Sequence, residues 1–269
     1  MMNQALRKAA VSGQFYPASC NEISKQIADF NTAFDNITID KNTLMLRPRA
    51  IIVPHAGYIY SGFTANMAYR FSAHTKPKRI VVIGPSHHHY FKGLSASHFE
   101  SYESPCGNIN IDNPYLFALA KQFHIGFEPK AHQKEHSTEV QMPFIKHYFP
   151  DIKVIELIYG ELEVKKLENI VYALLSNPDN HVIISTDLSH FHTVETAKQL
   201  DYYCLKAVEA LNIEIFHKGC EACGDIGIEA LILAAKRLKL SSKVLDYSTS
   251  FDTSKDNSSV VGYMSAMFY

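Results

Sequence analysis

The sequence predicts an α/β protein: a single domain with a mainly parallel central sheet and helices on both faces. Three observations carry that expectation. Short apolar runs rich in β-branched residues (Ala50 to Val53, Arg79 to Gly84, Lys153 to Tyr159, His181 to Ser185) have the length and composition of strands buried on both faces. Segments with apolar residues at helical spacing alternate with them, and that alternation implies βαβ units and parallel pairing. No linker, repeat or low-complexity tract interrupts the 269 residues, so one domain is expected over 1–269.

Gly13 to Pro17 reads as a turn with two aromatics, Phe15 and Tyr16. A helix beginning at Cys20 or Asn21 carries Ile23, Ile27, Phe30 and Phe34 on one side. Residues 36–48 are a polar connection. The first central strand, Ala50 to Val53, stops at Pro54, which cannot donate to a ladder, and delivers His55 into a turn relaxed by Gly57. Ser61 is the expected cap of the next helix, which holds Ala65, Ala68 and Phe71. The second strand runs into Pro85, Ser86, His87, His88 and His89. A strand over Gly93 to Ser97, a loop with a short hairpin over Ser101 to Asn113, and a helix over Tyr115 to Phe123 follow. Ser137 is read as the cap of a helix with Val140, Phe144, Ile145 and Tyr148, kinked at Pro143. Helices over Val164 to Leu175, Val194 to Leu211 and Asp225 to Lys239, with a strand within Ser259 to Phe268, complete the chain.

Composition excludes several function classes. With 26 basic and 27 acidic residues the net charge is -1, which gives no electrostatic footprint for nucleic acid or an anionic membrane. No apolar stretch approaches the roughly 20 residues that span a bilayer, and Met1 to Ala10 holds no apolar h-region. Five cysteines, an odd number in a long chain, argue against a disulfide scaffold and for a reducing, cytoplasmic setting. The 14 histidines are the compositional oddity, and they cluster at strand ends.

Those strand ends are where open α/β sheets build their sites. His55, His87 and His190 follow three different buried strands. Neutral imidazoles in such positions are good ligands for a divalent transition metal, and His55 with His87 is the leading pair. The third ligand is open among Cys223, His190, Asp187, Glu135 and Glu139. Cys223 stands before a helix opening at Asp225, where the helix dipole should favour its thiolate, and a thiolate with two imidazoles suits iron, copper or zinc. Cys220 and Cys223 form a C-x-x-C, but no second pair follows to complete a structural zinc site, and Cys220 reads as a half-buried thiol. Asp187 is placed to orient His190 as an acid or base. Glu135 and Glu139 can be explained as helix-start charges worth about 0.3–1 kcal/mol. Ser86, Ser137 and Ser189 each adjoin a histidine, yet no G-x-S-x-G elbow and no G-x-x-x-x-G-K phosphate loop occurs. Tyr58, Tyr60, Tyr90 and Phe191 flank the motif histidines and could line a groove for a peptide or partner.

Seven stretches taken together resemble the Memo family, which is related in fold to the LigB-type extradiol dioxygenases: V-S-G-Q-F-Y-P, P-H-A-G-Y-I-Y-S-G, G-P-S-H-H-H-Y, K-E-H-S-T-E-V-Q-M-P-F, S-T-D-L-S-H-F, A-C-G-D-I-G and V-G-Y-M-S. They run from Val11 to Ser265. The resemblance implies a LigB-like α/β fold with a metal pocket at strand ends. It puts the metal ligands on His55, His87 and Cys223, with Fe(II) or copper the usual candidates and zinc a third. His190 matches the pocket histidine that acts as acid or base in the dioxygenase relatives, and His136 matches another pocket position. Cys223 stands where those enzymes carry a carboxylate. The implied function is a redox or oxygen-activating, dioxygenase-like oxidoreductase acting on an unknown small molecule or peptide. The alternative is a non-catalytic binding module using the same pocket. AMMECR1-like and radical-SAM proteins are the implied partners.

Overall fold

Ala50 to Val53, Ile80 to Ile83 and Val182 to Ile184 have no exposed surface at all, as expected of strands covered on both faces. A computed structural model describes residues 4–269. The chain opens with β1 (Gln4–Arg7), α1 (Cys20–Asp35), α2 (Lys41–Met45), β2 (Ala50–Val53) and α3 (Tyr58–Ser72). Next come β3 (Arg79–Pro85), β4 (Leu94–Ala96), β5 (Phe99–Tyr102), β6 (Ile109–Asn110) and α4 (Asn113–Phe123). The middle holds α5 (Pro129–Gln133), α6 (His136–Glu139), α7 (Met142–Tyr148), β7 (Lys153–Tyr159), α8 (Val164–Ser176) and β8 (Asn180–Ser185). The last part comprises β9 (His190–His192), α9 (Val194–Ala210), α10 (Ile213–Phe216), α11 (Asp225–Arg237), β10 (Ser242–Thr249), α12 (Phe251–Ser254) and β11 (Val260–Phe268).

The main sheet has the order β10-β11-β2-β8-β3-β7-β4, with β9 paired to β11. Its centre, β2-β8-β3-β7, is parallel, and antiparallel strands close both edges. A small sheet, β1-β5-β6, lies apart. Gly84 of β3 faces Ser137 and Thr138 of α6, whereas Ile184 of β8 and Tyr159 of β7 meet Gly227 of α11. Helices therefore cover both faces: α3, α6 and α7 one, α8 and α11 the other. Parallel strands all point the same way, so the ends of β2, β3, β7 and β8 open onto one edge, and His55, His87 and Asp187 emerge there together. Among the described residues no helix is long and apolar enough to cross a membrane.

Four expectations need correction. The helix after His55 starts at Tyr58 with Gly57 as N-cap, so Ser61 lies inside it and donates to the Ala56 carbonyl instead (3.1 Å). The long helix behind Ser137 is two short ones. Its N-cap is Glu135, whose side chain accepts from Ser137 N (2.9 Å), and Pro143 lies in the first turn of α7, where a missing N–H costs little. Strands β1 and β10 were not expected; β10 is half-buried along nearly its whole length and lacks the apolar run that marks the central strands. The cysteine reasoning also fails. Cys20 is bridged to Cys106 and Cys204 to Cys220, across 86 and 16 residues, leaving Cys223 free. An odd count therefore meant two bridges and one thiol, and the argument from cysteine for a reducing compartment falls with it.

Candidate metal centre

His55 is fixed by what surrounds it. Its backbone N–H donates to Asp187 Oδ1 (2.7 Å), tying the end of β2 to the end of β8. Its Nδ1 lies 3.1 Å from Ser185 Oγ. The Ser185 hydroxyl donates to the Ser137 carbonyl (2.5 Å), so toward the imidazole it can only accept. That assigns the proton of His55 to Nδ1 and leaves Nε2 with a free lone pair. Nε2 faces Cys223 Sγ at 3.3 Å. Burial, followed by the neighbouring His87, pushes His55 down to about 3, so the ring is neutral and a competent ligand at pH 7.

The same logic fixes His87. Its backbone N–H donates to Glu135 Oε2 (2.6 Å) and its Nδ1 to Oε1 (2.8 Å), which again leaves Nε2 open. Glu135 has no exposed surface. Burial would raise its carboxyl, but the hydrogen bonds and charge of His87 and the Ser137 N–H prevail and hold it down to about 2. A buried carboxylate on the back nitrogen of an imidazole orients the ring and raises its basicity as a ligand.

His136, the first residue of α6, completes a trio. One ring nitrogen from each of His55, His87 and His136 lies within 4.8 Å of the others. The ring centroids are 5.1 Å (His55–His87), 5.3 Å (His55–His136) and 4.4 Å (His87–His136) apart. Phe15 backs the His136 ring at 5.0 Å. Burial, then the adjacent imidazoles, pushes His136 down to about 4. Three imidazoles from three separate elements are a donor set that suits iron, copper or zinc.

The remaining expected residues are placed as follows. Cys223 touches His55, and its Sγ accepts from the Asp187 N–H (3.3 Å). The thiolate expected from the start of α11 does not form in this surround: burial, then the Asp187 charge, pushes the thiol up to about 12. Asp187 is buried and gives an oxygen to the His55 N–H; burial raises its carboxyl. No described hydrogen bond joins it to His190, although the two interact through space. His190 stands in β9, its N–H 3.4 Å from Glu221 Oε1. Tyr58 belongs to the core, stacked on Phe144, while Tyr60, Tyr90 and Phe191 are exposed.

Glu135 and Glu139 can each be a helix-start charge or part of the site: Glu135 is both, capping α6 and holding His87, whereas Glu139 has another role. Glu139 is fully buried, pairs with Arg7, and accepts from Ala10 N (2.9 Å), Val11 N (2.9 Å) and Tyr16 Oη (2.7 Å). Arg7 in turn donates to the carbonyls of His132 (3.0 Å) and Glu135 (2.8 Å), so β1 clamps the turn that carries Glu135 and His136. Behind the turn His132 Nδ1 meets Glu156 (2.5 Å) and Nε2 meets Ser95 Oγ (2.8 Å), all three buried. Burial raises Glu156 to about 8 and lowers His132 to about 3, a neutral pair. Glu156 then donates to Nδ1, Nε2 donates to Ser95, and the serine is no activated nucleophile.

These features define an α/β protein with a histidine-lined pocket at the strand ends. The chain belongs to the Memo family: residues 7–267 match the family model described as "Memo-like protein". A "MEMO1 family protein" of Aquifex aeolicus is 33% identical over 98% of this chain and 99% of its own length. One from Methanobrevibacter smithii is 32% identical over 98% and 99%. The crystal structure of an uncharacterized Escherichia coli K12 protein, JW3007, aligns with TM-score 0.55 over 82% of this chain and all of that one. At 13% identity it speaks to fold alone.

Proposed function

We propose that this chain is a metal-binding Memo-family protein, a redox or oxygen-activating metalloenzyme using non-haem iron or copper. The observation that carries the reading is the trio of imidazoles with ring nitrogens within 4.8 Å of one another. In two of its members a back nitrogen is already committed, to Ser185 and to Glu135, so that Nε2 is free. His55, His87 and His136 would hold the ion, and Cys223, in contact with His55, would add a thiolate donor on losing its proton to metal binding. Bound iron or copper would supply one-electron chemistry and Lewis acidity. The chain's own part is to orient and to move protons: Glu135 keeps the His87 ring fixed, Asp187 locks the end of β2, and His190 offers an acid or base at the rim. Zinc fits the same donors.

A second reading, a binding module for a peptide or partner, draws on Phe191, which is 79% exposed beside His190 and sits at φ 64, outside the usual range for an aromatic residue. AMMECR1-like and radical-SAM proteins are the partners it would test first. A cytoplasmic setting belongs to the same proposal, and there the two disulfides would face thiol reductants. The deciding experiment is elemental analysis of protein purified without oxygen or chelator, beside His55→Ala and Cys223→Ser. Near-stoichiometric iron or copper that falls in His55→Ala supports the metalloenzyme. No metal after anaerobic reconstitution sinks it and leaves the binding module.

A further inference from the structure

Residues 217–224, between α10 and α11, touch the pocket at two places. Cys223 sets its Sγ beside His55 Nε2. The Glu221 carboxylate holds β9, accepting from His192 Nε2 (3.0 Å) and from the His190 N–H (3.4 Å). Much of the segment is solvent-facing: His217, Lys218 and Glu221 are exposed. It is held to the body by hydrogen bonds such as Cys223 N to Asp187 O (3.3 Å) and Gly224 N to Thr186 Oγ1 (2.9 Å), by the His217–Glu229 ion pair (3.1 Å), by packing of Cys220 and Ala222 on the core, and by one covalent bond. That bond is the disulfide from Cys220 to Cys204 in α9.

We propose that Cys204–Cys220 is a redox modification site, and that its reduction by a dithiol frees residues 217–224, withdrawing Cys223 from the metal pocket. Cys204 is fully buried, whereas Cys220 is partly exposed, so an incoming thiolate meets Cys220 Sγ. A bond forms there as the bond to Cys204 breaks; Cys204 leaves as thiolate and takes a proton. The second thiol of the reductant then attacks the reductant sulfur of the mixed disulfide. Cys220 leaves as a thiol and the reductant departs as a cyclic disulfide, two electrons having passed to the bridge. The other bridge, Cys20–Cys106, joins α1 to the β5–β6 connection and includes no residue of this segment. The effect on metal rests on the proposed function; the release of the segment does not.

The test uses full-length Cys20→Ser/Cys106→Ser protein, in which Cys204–Cys220 is the one remaining bridge. The rate at which N-ethylmaleimide alkylates Cys223 is followed by mass spectrometry before and after dithiothreitol. Reduction should speed it by about tenfold or more, the mark of a local opening, with far-UV circular dichroism unchanged. Cys204→Ser should show the fast rate without reductant, and wild type treated with dithiothreitol provides the same reading should a variant fold poorly. An unchanged rate after complete reduction overturns the proposal. So does a protein purified in air with no Cys204–Cys220 bridge, or a loss of far-UV signal on reduction, which would make the bridge a support of the whole fold. A parallel cobalt(II) titration should show weaker binding in the reduced form. Cobalt binding to neither form would remove the metal reading, while the alkylation rates still decide this one.

Discussion

Replacing Glu139 by leucine should be among the most damaging single changes in the molecule, although Glu139 lies outside the imidazole trio. The substitution keeps the volume roughly constant and removes every acceptor. Arg7, 1% exposed, loses its counter-charge, and Tyr16 Oη and the N–H groups of Ala10 and Val11 lose their acceptor. Breaking a buried ion pair costs about 3–5 kcal/mol because the surviving charge is stranded. Each orphaned buried donor adds about 1–3 kcal/mol, non-additively. A loss of about 4 kcal/mol or more is therefore expected, against a typical domain stability of about 5–15 kcal/mol. Arg7→Met combined with Glu139→Leu should recover much of it, since no charge is then left unpaired. Urea unfolding followed by circular dichroism at pH 7 gives all three values. A single-variant loss below about 1 kcal/mol, or a double variant no better than the single, would refute the clamp described for β1.

Acid should destabilise the protein through its buried histidines, and His181, at the opposite end of β8 from the pocket, isolates the effect. Burial pushes it down to about 4. Its unfolded value is near 6.5, so between that pH and the folded value the unfolded chain binds more protons, and stability falls as pH falls. His132, also lowered by burial, adds little in that window, because Glu156 beside it is raised to about 8 and keeps in the folded state the proton that His132 lacks. At pH 5 His181 should cost up to about 2 kcal/mol, so the melting temperature should drop below pH 6; His181→Gln should flatten that slope, and a variant with the wild-type slope would refute the assignment. Glu135→Gln removes the carboxylate behind His87 and should weaken cobalt(II) binding by about 10- to 100-fold in competition with a chromophoric chelator. Unchanged affinity would place His87 outside the ligand set.

The sequence by itself determined the fold class and the edge on which the site lies. Runs such as Ala50 to Val53, short, β-branched and stopped by Pro54, read as strands buried on both faces, and parallel strands carry the residues that follow them to a common edge. His55, His87 and Asp187 were visible for that reason, and the ordered motifs made the family legible. Local pattern failed where a residue's role depends on a partner far along the chain. Glu139 reads as a helix-start charge until Arg7, 132 residues away, arrives beside it. Cys223 reads as a thiolate next to a helix dipole until burial raises its thiol to about 12. Cys20 finds Cys106, and Cys204 finds Cys220, only when their elements are brought together. Periodicity and β-branching act through neighbouring residues and survive in the sequence. Burial, counter-charge and covalent pairing are properties of the assembled interior, and only the tertiary structure decided them.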